Sequence, residues 1–289
     1  MKLDFKINEE KLLHNAYELL DLDSKLWDEY EGAFGSVINE IMVLNKVING
    51  EEVYEEDYYD ALDSLIQGVS VPGISYDAKY ISLPYLVKLF ELESQTGSPE
   101  EQFQLILNLG PVIACDYKEP DAGIKEDIFN NYLLAKEAFA EMVKIFLMEY
   151  VDSLVEFGEE EKTWFMACVL AILDDPGAAN AMMSLVFEEM YVICDGCGDC
   201  NEDIDSLLGE ECEYIKVAKD VTGQWDGNDL SDTYLWISNF AQILGCNDVI
   251  NALRHYYGTY TCPKCGKKML VMDGVKRYLN LHTYTHIYY

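Results

Sequence analysis

Tyr191-Val-Ile-Cys194-Asp-Gly-Cys197-Gly-Asp-Cys200 and Tyr260-Thr-Cys262-Pro-Lys-Cys265-Gly-Lys-Lys268 decide how this chain is read. Each contains a C-x-x-C-G turn preceded by a β-prone run. In such a knuckle the two thiolates face one metal ion, and the Gly after the second Cys turns the chain back at positive φ. One C-x-x-C is ambiguous between redox, metal and coincidence. Two of them fit a four-thiolate zinc site made from paired hairpins. The spacing therefore predicts structural Zn2+ on Cys194, Cys197, Cys262 and Cys265, with Lys264, Lys267 and Lys268 offsetting the charge. Cys200 extends the first knuckle to C-x-x-C-x-x-C, which leaves it as an alternative ligand. The fourth cysteine that an iron–sulfur run requires at short spacing is absent.

Outward from the knuckles, the sequence changes character near residue 190. Before it, apolar residues recur with helical period. The segments expected to be helical are Glu10 to Leu22, Lys25 to Val47 (Trp27, Tyr30, Phe34, Ile38, Ile41 and Met42 on one face) and Tyr58 to Val69. Further helices are expected to open at Leu83-Pro84 and at Ser98-Pro99, the latter kinked or stopped at Gly110-Pro111, and to cover Asp127 to Phe157, Lys162 to Leu173 and Ala178 to Met190. After residue 190, Tyr191 to Ile193, Tyr214 to Val221, Lys267 to Met272 and Tyr278 to Tyr289 read as strands, and Asp232 to Leu244 and Asp248 to Tyr257 as two helices between the knuckles. Successive helices with short Pro/Gly turns at a period of roughly forty residues describe an α-solenoid. The expectation is a mainly α protein: a helical-repeat domain over 1–189, then a small α+β zinc-knuckle module over 190–289 carrying an inserted helical hairpin. An irregular bundle is the other arrangement such helices adopt.

The stretch Ile74-Ser-Tyr-Asp-Ala-Lys-Tyr-Ile-Ser-Leu-Pro84-Tyr-Leu-Val-Lys-Leu, followed by Phe103-Gln-Leu-Ile-Leu-Asn-Leu-Gly110, resembles bacterial HEAT-like repeat proteins of uncharacterised role. So does Leu253-Arg-His-Tyr-Tyr-Gly258-Thr-Tyr-Thr-Cys262-Pro-Lys-Cys265-Gly, since in proteins of that type a C-P-x-C-G knuckle follows the last helix. The first knuckle departs from that pattern, with Asp195-Gly196 in place of a Pro-led pair. The resemblance implies a HEAT-like array closed by zinc knuckles. Such arrays occur among bacterial immunity proteins, which neutralise toxins.

Charge narrows the class of partner. The 289 residues hold 53 acids against 20 bases, a formal net charge of −33, yet half are apolar, so the chain buries a core. Such a surface repels nucleic acid and anionic membranes and steers basic proteins toward it; acidic solubility is the simpler account of the same charge. Between Lys162 and Lys216 there is no Lys or Arg, while Asp174, Asp175, Glu188, Glu189, Asp199, Glu202 and Asp203 fall there. A second cluster, Glu51, Glu52, Glu55, Glu56 and Asp57, is interleaved with Tyr54 and Tyr58. Rigid aromatics with carboxylates make a rim suited to Lys and Arg, and both clusters are candidate partner-binding surfaces.

Four cysteine donors favour a closed, non-catalytic site. No nucleophile elbow, P-loop or strand-led dinucleotide fingerprint occurs. The chain is therefore expected to be a non-enzymatic, cytoplasmic binding protein, an immunity-type inhibitor of a basic toxin such as a nuclease. A scaffold or regulator of the same build is the first alternative. A zinc-dependent hydrolase using His282 or His286, which an extended strand would place on one face, is the second.

Overall fold

A computed structural model describes residues 3–12, 17–71, 74–96, 99–117, 123–187, 191–203, 214–221, 225 and 229–282. The chain forms two compact units, one of Phe5–Tyr150 and one of Val151–Tyr289 together with Met1–Asp4. Contacts thus divide the chain at 150/151, whereas its composition changes at 189/190.

The first unit contains α1 (Leu26–Glu29), α2 (Ile38–Ile48), α3 (Glu55–Val69), α4 (Lys79–Thr96), α5 (Pro99–Ala114) and α6 (Glu126–Leu154), whose last turn runs past the division. A two-stranded antiparallel ribbon, β1 (Ser70–Val71) with β2 (Ile74–Ser75), joins α3 to α4. Neighbouring helices pair as α2 with α3 and α4 with α5, and α2 also packs on α4. Pro99 begins α5 and Glu100 and Glu101 fill its first turn, where a missing N–H costs nothing and carboxylates complement the dipole.

Several expectations in this unit are corrected. The single helix from Lys25 to Val47 is two helices, because Gly32 and Gly35 exchange backbone hydrogen bonds (2.8 and 3.2 Å) in a tight turn that needs φ +103° at Gly35. Ala33 N donates to Gly68 O at 2.7 Å, and a Cβ on Gly32 would stand 2.6 Å from that oxygen. Phe34, assigned to the buried stripe, sits on this turn and is 84% exposed. Of the opening helix expected over Glu10 to Leu22, the described residues form a 3-10 turn at Glu9–Leu12 and a non-helical stretch at 17–21, and 13–16 lie outside the described residues. The first turn of α4 lies at Lys79, ahead of Pro84, and α5 does not stop at Gly110-Pro111 but runs through it to Ala114. Both helices are buried over much of their surface, and burial outweighs the one hydrogen bond each proline removes.

Inside this unit Asp116 accepts from three side chains. Lys79 Nζ lies 2.9 Å from Oδ1, Lys136 Nζ lies 2.7 Å from Oδ2, and the Tyr132 hydroxyl is 2.8 Å from both oxygens. Lys79 is only 3% exposed, with its ammonium 4.9 Å from the Tyr80 ring centroid and 5.9 Å from that of Tyr132. Burial pushes the Asp116 carboxyl up, but Lys79 and Lys136 outweigh it and hold the group below the usual carboxylate range. The network ties α4 and α6 to the 3-10 turn Cys115–Tyr117.

The second unit starts with the hairpin α7 (Glu159–Leu173) and α8 (Pro176–Phe187), followed by β3 (Tyr191–Ile193) paired antiparallel with β4 (Cys200–Asp203). A three-stranded antiparallel sheet runs in the order β5 (Ile215–Lys216), β6 (Thr259–Thr261), β7 (Lys268–Leu270). Between β5 and β6 stand α9 (Thr233–Leu244) and α10 (Asn247–Tyr256), the inserted helical hairpin. Asp232 caps α9 by accepting from Leu235 N, and Gly245 ends it at φ 74°. The stretch Lys267 to Met272 is strand only to Leu270, and α11 (Val271–His282) begins at once. Val271, Met272 and Val275 are buried, a helical spacing, so the strand expected from Tyr278 is helix to His282; 283–289 lie outside the described residues. Helix α11 packs on β3 at Gly274, where a Cβ would stand 2.4 Å from Val192 Cγ1.

Candidate metal centre

Each knuckle is built by the same backbone bonds. In the first, Cys194 N donates to Asp199 O at 3.0 Å and Gly198 N to Cys194 O at 2.9 Å, with Gly198 at φ 70°. In the second, Cys262 N donates to Lys267 O at 2.9 Å and Gly266 N to Cys262 O at 2.8 Å, with Gly266 at φ 72°. A left-handed residue is needed at both places, which is why each C-x-x-C is followed by Gly. The β3–β4 hairpin carries the first knuckle and the β6–β7 hairpin the second.

The hairpins bring four sulfurs together. All four Sγ atoms of Cys194, Cys197, Cys262 and Cys265 lie within 4.8 Å of one another. Cys194 Sγ is 3.6 Å from Cys265 Sγ, and Cys197 Sγ is 3.7 Å from Cys262 Sγ. A tetrahedron with metal–sulfur bonds of about 2.3 Å has sulfur–sulfur edges of about 3.8 Å, so the set is sized for one ion of that kind. The arrangement has approximate twofold character: the first Cys of each knuckle is buried, the second is exposed, and each buried sulfur meets the exposed one opposite. The Gly196 N–H points at Cys194 Sγ (3.3 Å), a donor that stabilises thiolate. Burial raises the Cys194 thiol, but the N–H groups of Cys197 and Gly196 outweigh it and bring it to about 7. At Cys265 the Lys267 N–H pulls downward, yet lost solvation and the neighbouring sulfurs push the thiol up to about 12. Cys194 thus gives up its proton readily and Cys265 only against the charge of neighbouring sulfurs, which a dication relieves.

Outside the sulfurs lie two ion pairs that cross from knuckle to knuckle. Lys267 Nζ is 2.9 Å from Asp195 Oδ2 and Lys264 Nζ is 3.1 Å from Asp199 Oδ1. Lys268 is the exposed first residue of β7. Cys200, the alternative ligand, is the first residue of β4.

The candidate partner residues are dispersed. Glu51, Glu52, Glu55, Glu56 and Asp57 are exposed around the N-terminus of α3, and none makes an ion pair among the described residues; Tyr54 beside them is 83% exposed. Tyr58 is turned inward against the Tyr59 ring. Asp174 is engaged inside the second unit, accepting from Thr233 Oγ1 and Trp236 Nε1 at 2.7 Å each. Asp175 caps α8 through Ala178 N (2.9 Å) and pairs with Lys276 (2.5 Å). Asp199 pairs with Lys264 beside the four cysteines, and Glu202 and Asp203 lie on β4. Glu188, Glu189 and His286 fall outside the described residues, and His282 closes α11, a helix where a strand was expected. The buried network on Asp116 escaped sequence reasoning; its lysines are 37 and 20 positions away, and only the odd placement of Lys79 beside an apolar run hinted at it.

Among the described residues no helix is long and apolar enough to cross a membrane. Comparisons with protein-family models, with curated proteins and with solved structures return no match to the chain.

Proposed function

We propose that this chain is a zinc-pinned, acidic binding protein that holds a basic protein partner, in the manner of an immunity-type inhibitor occupying the positive surface of a toxin. The observation that supports the reading is the acidic rim at α3, where five exposed carboxylates flank the exposed Tyr54 and make no ion pair among the described residues. Carboxylates paired at home would be poor recognition groups, whereas unpaired ones beside a rigid aromatic attract Lys and Arg and give the ring a contact to bury. The net charge of −33 adds long-range steering.

Zn2+ is the ion we assign to the four sulfurs, in a structural role. A tetrathiolate leaves no open position for water, which supports binding over hydrolysis. The helical-repeat reading draws support from the first unit: α2 pairs with α3 and α4 with α5, while α2 packs on α4 and α3 on α5, the neighbour pattern of stacked helical hairpins. We place the protein in the cytoplasm, where free thiols and bound zinc persist.

The test is kinetic. The partner that co-purifies from the native cell is expressed, and its association rate with this chain is measured at 50 and 300 mM salt. A basic partner whose on-rate falls about tenfold or more across that range is the expected result. A neutral or acidic partner, or an on-rate indifferent to salt, overturns the reading.

A further inference from the structure

The first unit carries a groove of about 470 Å³ that none of the recognition features above explains. One wall is the non-helical stretch Glu18 to Asp21, the other is the start of α6, and buried Tyr80 and Ile81 lie at its base. Three carboxylates line it, Glu18, Asp21 and Asp127, with no Lys or Arg. All three are exposed and none makes an ion pair among the described residues. The remaining lining includes the aliphatic Leu26 and Leu134, the latter 43% exposed on α6.

The wall is held rigidly although it belongs to no regular element. Asn131 accepts from Glu18 N and donates to Glu18 O, both at 2.8 Å. The Tyr85 hydroxyl donates to Leu20 O at 2.5 Å, and Trp27 Nε1 donates to Asp21 O at 2.9 Å. Three side chains from three helices thus take up backbone groups that a helix would have satisfied by itself. A pinned wall loses little freedom when something binds against it, which favours affinity.

We infer that this groove receives a basic amphipathic segment of a partner protein. An aliphatic side chain of the segment enters beside Leu26, Ile81 and Leu134, and its flanking Lys or Arg residues reach Glu18, Asp21 and Asp127. The volume suits side chains of a peptide segment, within the range of about 300–1,000 Å³ of small binding clefts. Acid on the rim with apolar surface within is complementary to alternating base and aliphatic residues, not to a nucleic acid or an acidic lipid. The inference rests on the reading of a basic partner and names a surface for it apart from the rim at α3.

The probe is a fluorescein-labelled synthetic helix of fourteen residues with one leucine face and one lysine face, titrated by anisotropy against the full chain at 50 mM salt. Leu134→Glu makes the protein more negative, so charge alone would tighten binding; the groove requires weakening of about fivefold or more. Glu18→Lys with Asp127→Lys is expected to weaken binding more than tenfold, and Glu55→Lys with Asp57→Lys, an equal charge change at α3, less than threefold. Binding of Leu134→Glu as tight as that of the unaltered chain overturns the groove. So does equal loss from the two charge pairs, while leaving the basic-partner reading standing. Displacement of the peptide by micromolar spermine, indifferent to Leu134→Glu, assigns the carboxylates to a free polyamine and also overturns it. No binding by the unaltered chain sinks both readings.

Discussion

Lys267 Nζ rests 2.9 Å from Asp195 Oδ2, so a base from one knuckle is answered by an acid from the other. Lys264 and Asp199 repeat the arrangement in the opposite corner at 3.1 Å. Four thiolates and a dication sum to −2, and two acids would deepen that without the two lysines. Replacing Lys267 by Glu sets a carboxylate against Asp195 and the sulfur cluster. Metal affinity, read by competition with a chromophoric chelator, is expected to fall by about tenfold, the lower end for groups around a metal, because both partners are half-exposed and screened.

One equivalent of zinc per chain is expected by elemental analysis, and Co2+ exchanged for it should show the intense sulfur-to-metal charge-transfer bands of a tetrathiolate. Cys262→Ser removes a buried donor 65 positions from its neighbour Cys197. A cross-link closing a loop of that length restricts the unfolded chain by about 4 kcal/mol on the loop-entropy model. The variant should lose the bands, and the amides of α11 and the β6–β7 hairpin should lose most of their hydrogen-exchange protection. Retention of both would refute the assigned centre.

Asp116→Ala is expected to destabilise the first unit by about 3–5 kcal/mol in urea, since it leaves Lys79 buried beside a second ammonium with no counter-charge. The pH dependence follows from the lowered carboxyl. Its folded value lies below the unfolded value of about 3.9, so its contribution is complete above that pH and is lost as pH falls through the folded value. The unaltered chain should therefore lose stability more steeply below about pH 4 than Asp116→Asn does. Parallel acid profiles would contradict this.

Gly274→Ala tests the seat of α11. The added methyl would stand 2.4 Å from Val192 Cγ1 and 3.0 Å from Met269 Cε, and an overpacked contact of this kind costs about 1–3 kcal/mol. Because Val192 precedes Cys194 by two residues, weaker metal retention should accompany the lower melting temperature. Thermal unfolding with and without chelator measures both.

The meeting of Cys194, Cys197, Cys262 and Cys265 was legible because a knuckle is a local object. Cysteine spacing and the following Gly dictate its bonds, and two copies on antiparallel hairpins have one economical way to meet. Helices α6 to α10 were legible through their apolar period, with ends off by a few residues. The break between α1 and α2 was not, because Phe34, Ile38 and Met42 keep helical spacing across a turn whose cause, the approach of Gly32 to Gly68, is tertiary. Alternation in Tyr278 to Tyr289 suggested a strand, but the buried Val271, Met272 and Val275 just before it anchor a helix that runs to His282. Asp174 and Asp175 looked like rim acids because their partners, Trp236 and Lys276, are 62 and 101 positions away.

The cluster of Lys79, Lys136 and Asp116 has a sign opposite to the rest of the molecule: a cationic kernel inside a chain whose formal net charge is −33. Dissolved ions gather at the anionic exterior and soften its self-repulsion, but they cannot reach an ammonium that is 97% shielded, given its 3% exposure. Sodium chloride should therefore act as a stabiliser of this fold, raising its melting temperature between 0.02 and 0.5 M, where a protein held by exposed ion pairs would soften. The same brine that loosens its grip on a partner would tighten its hold on itself.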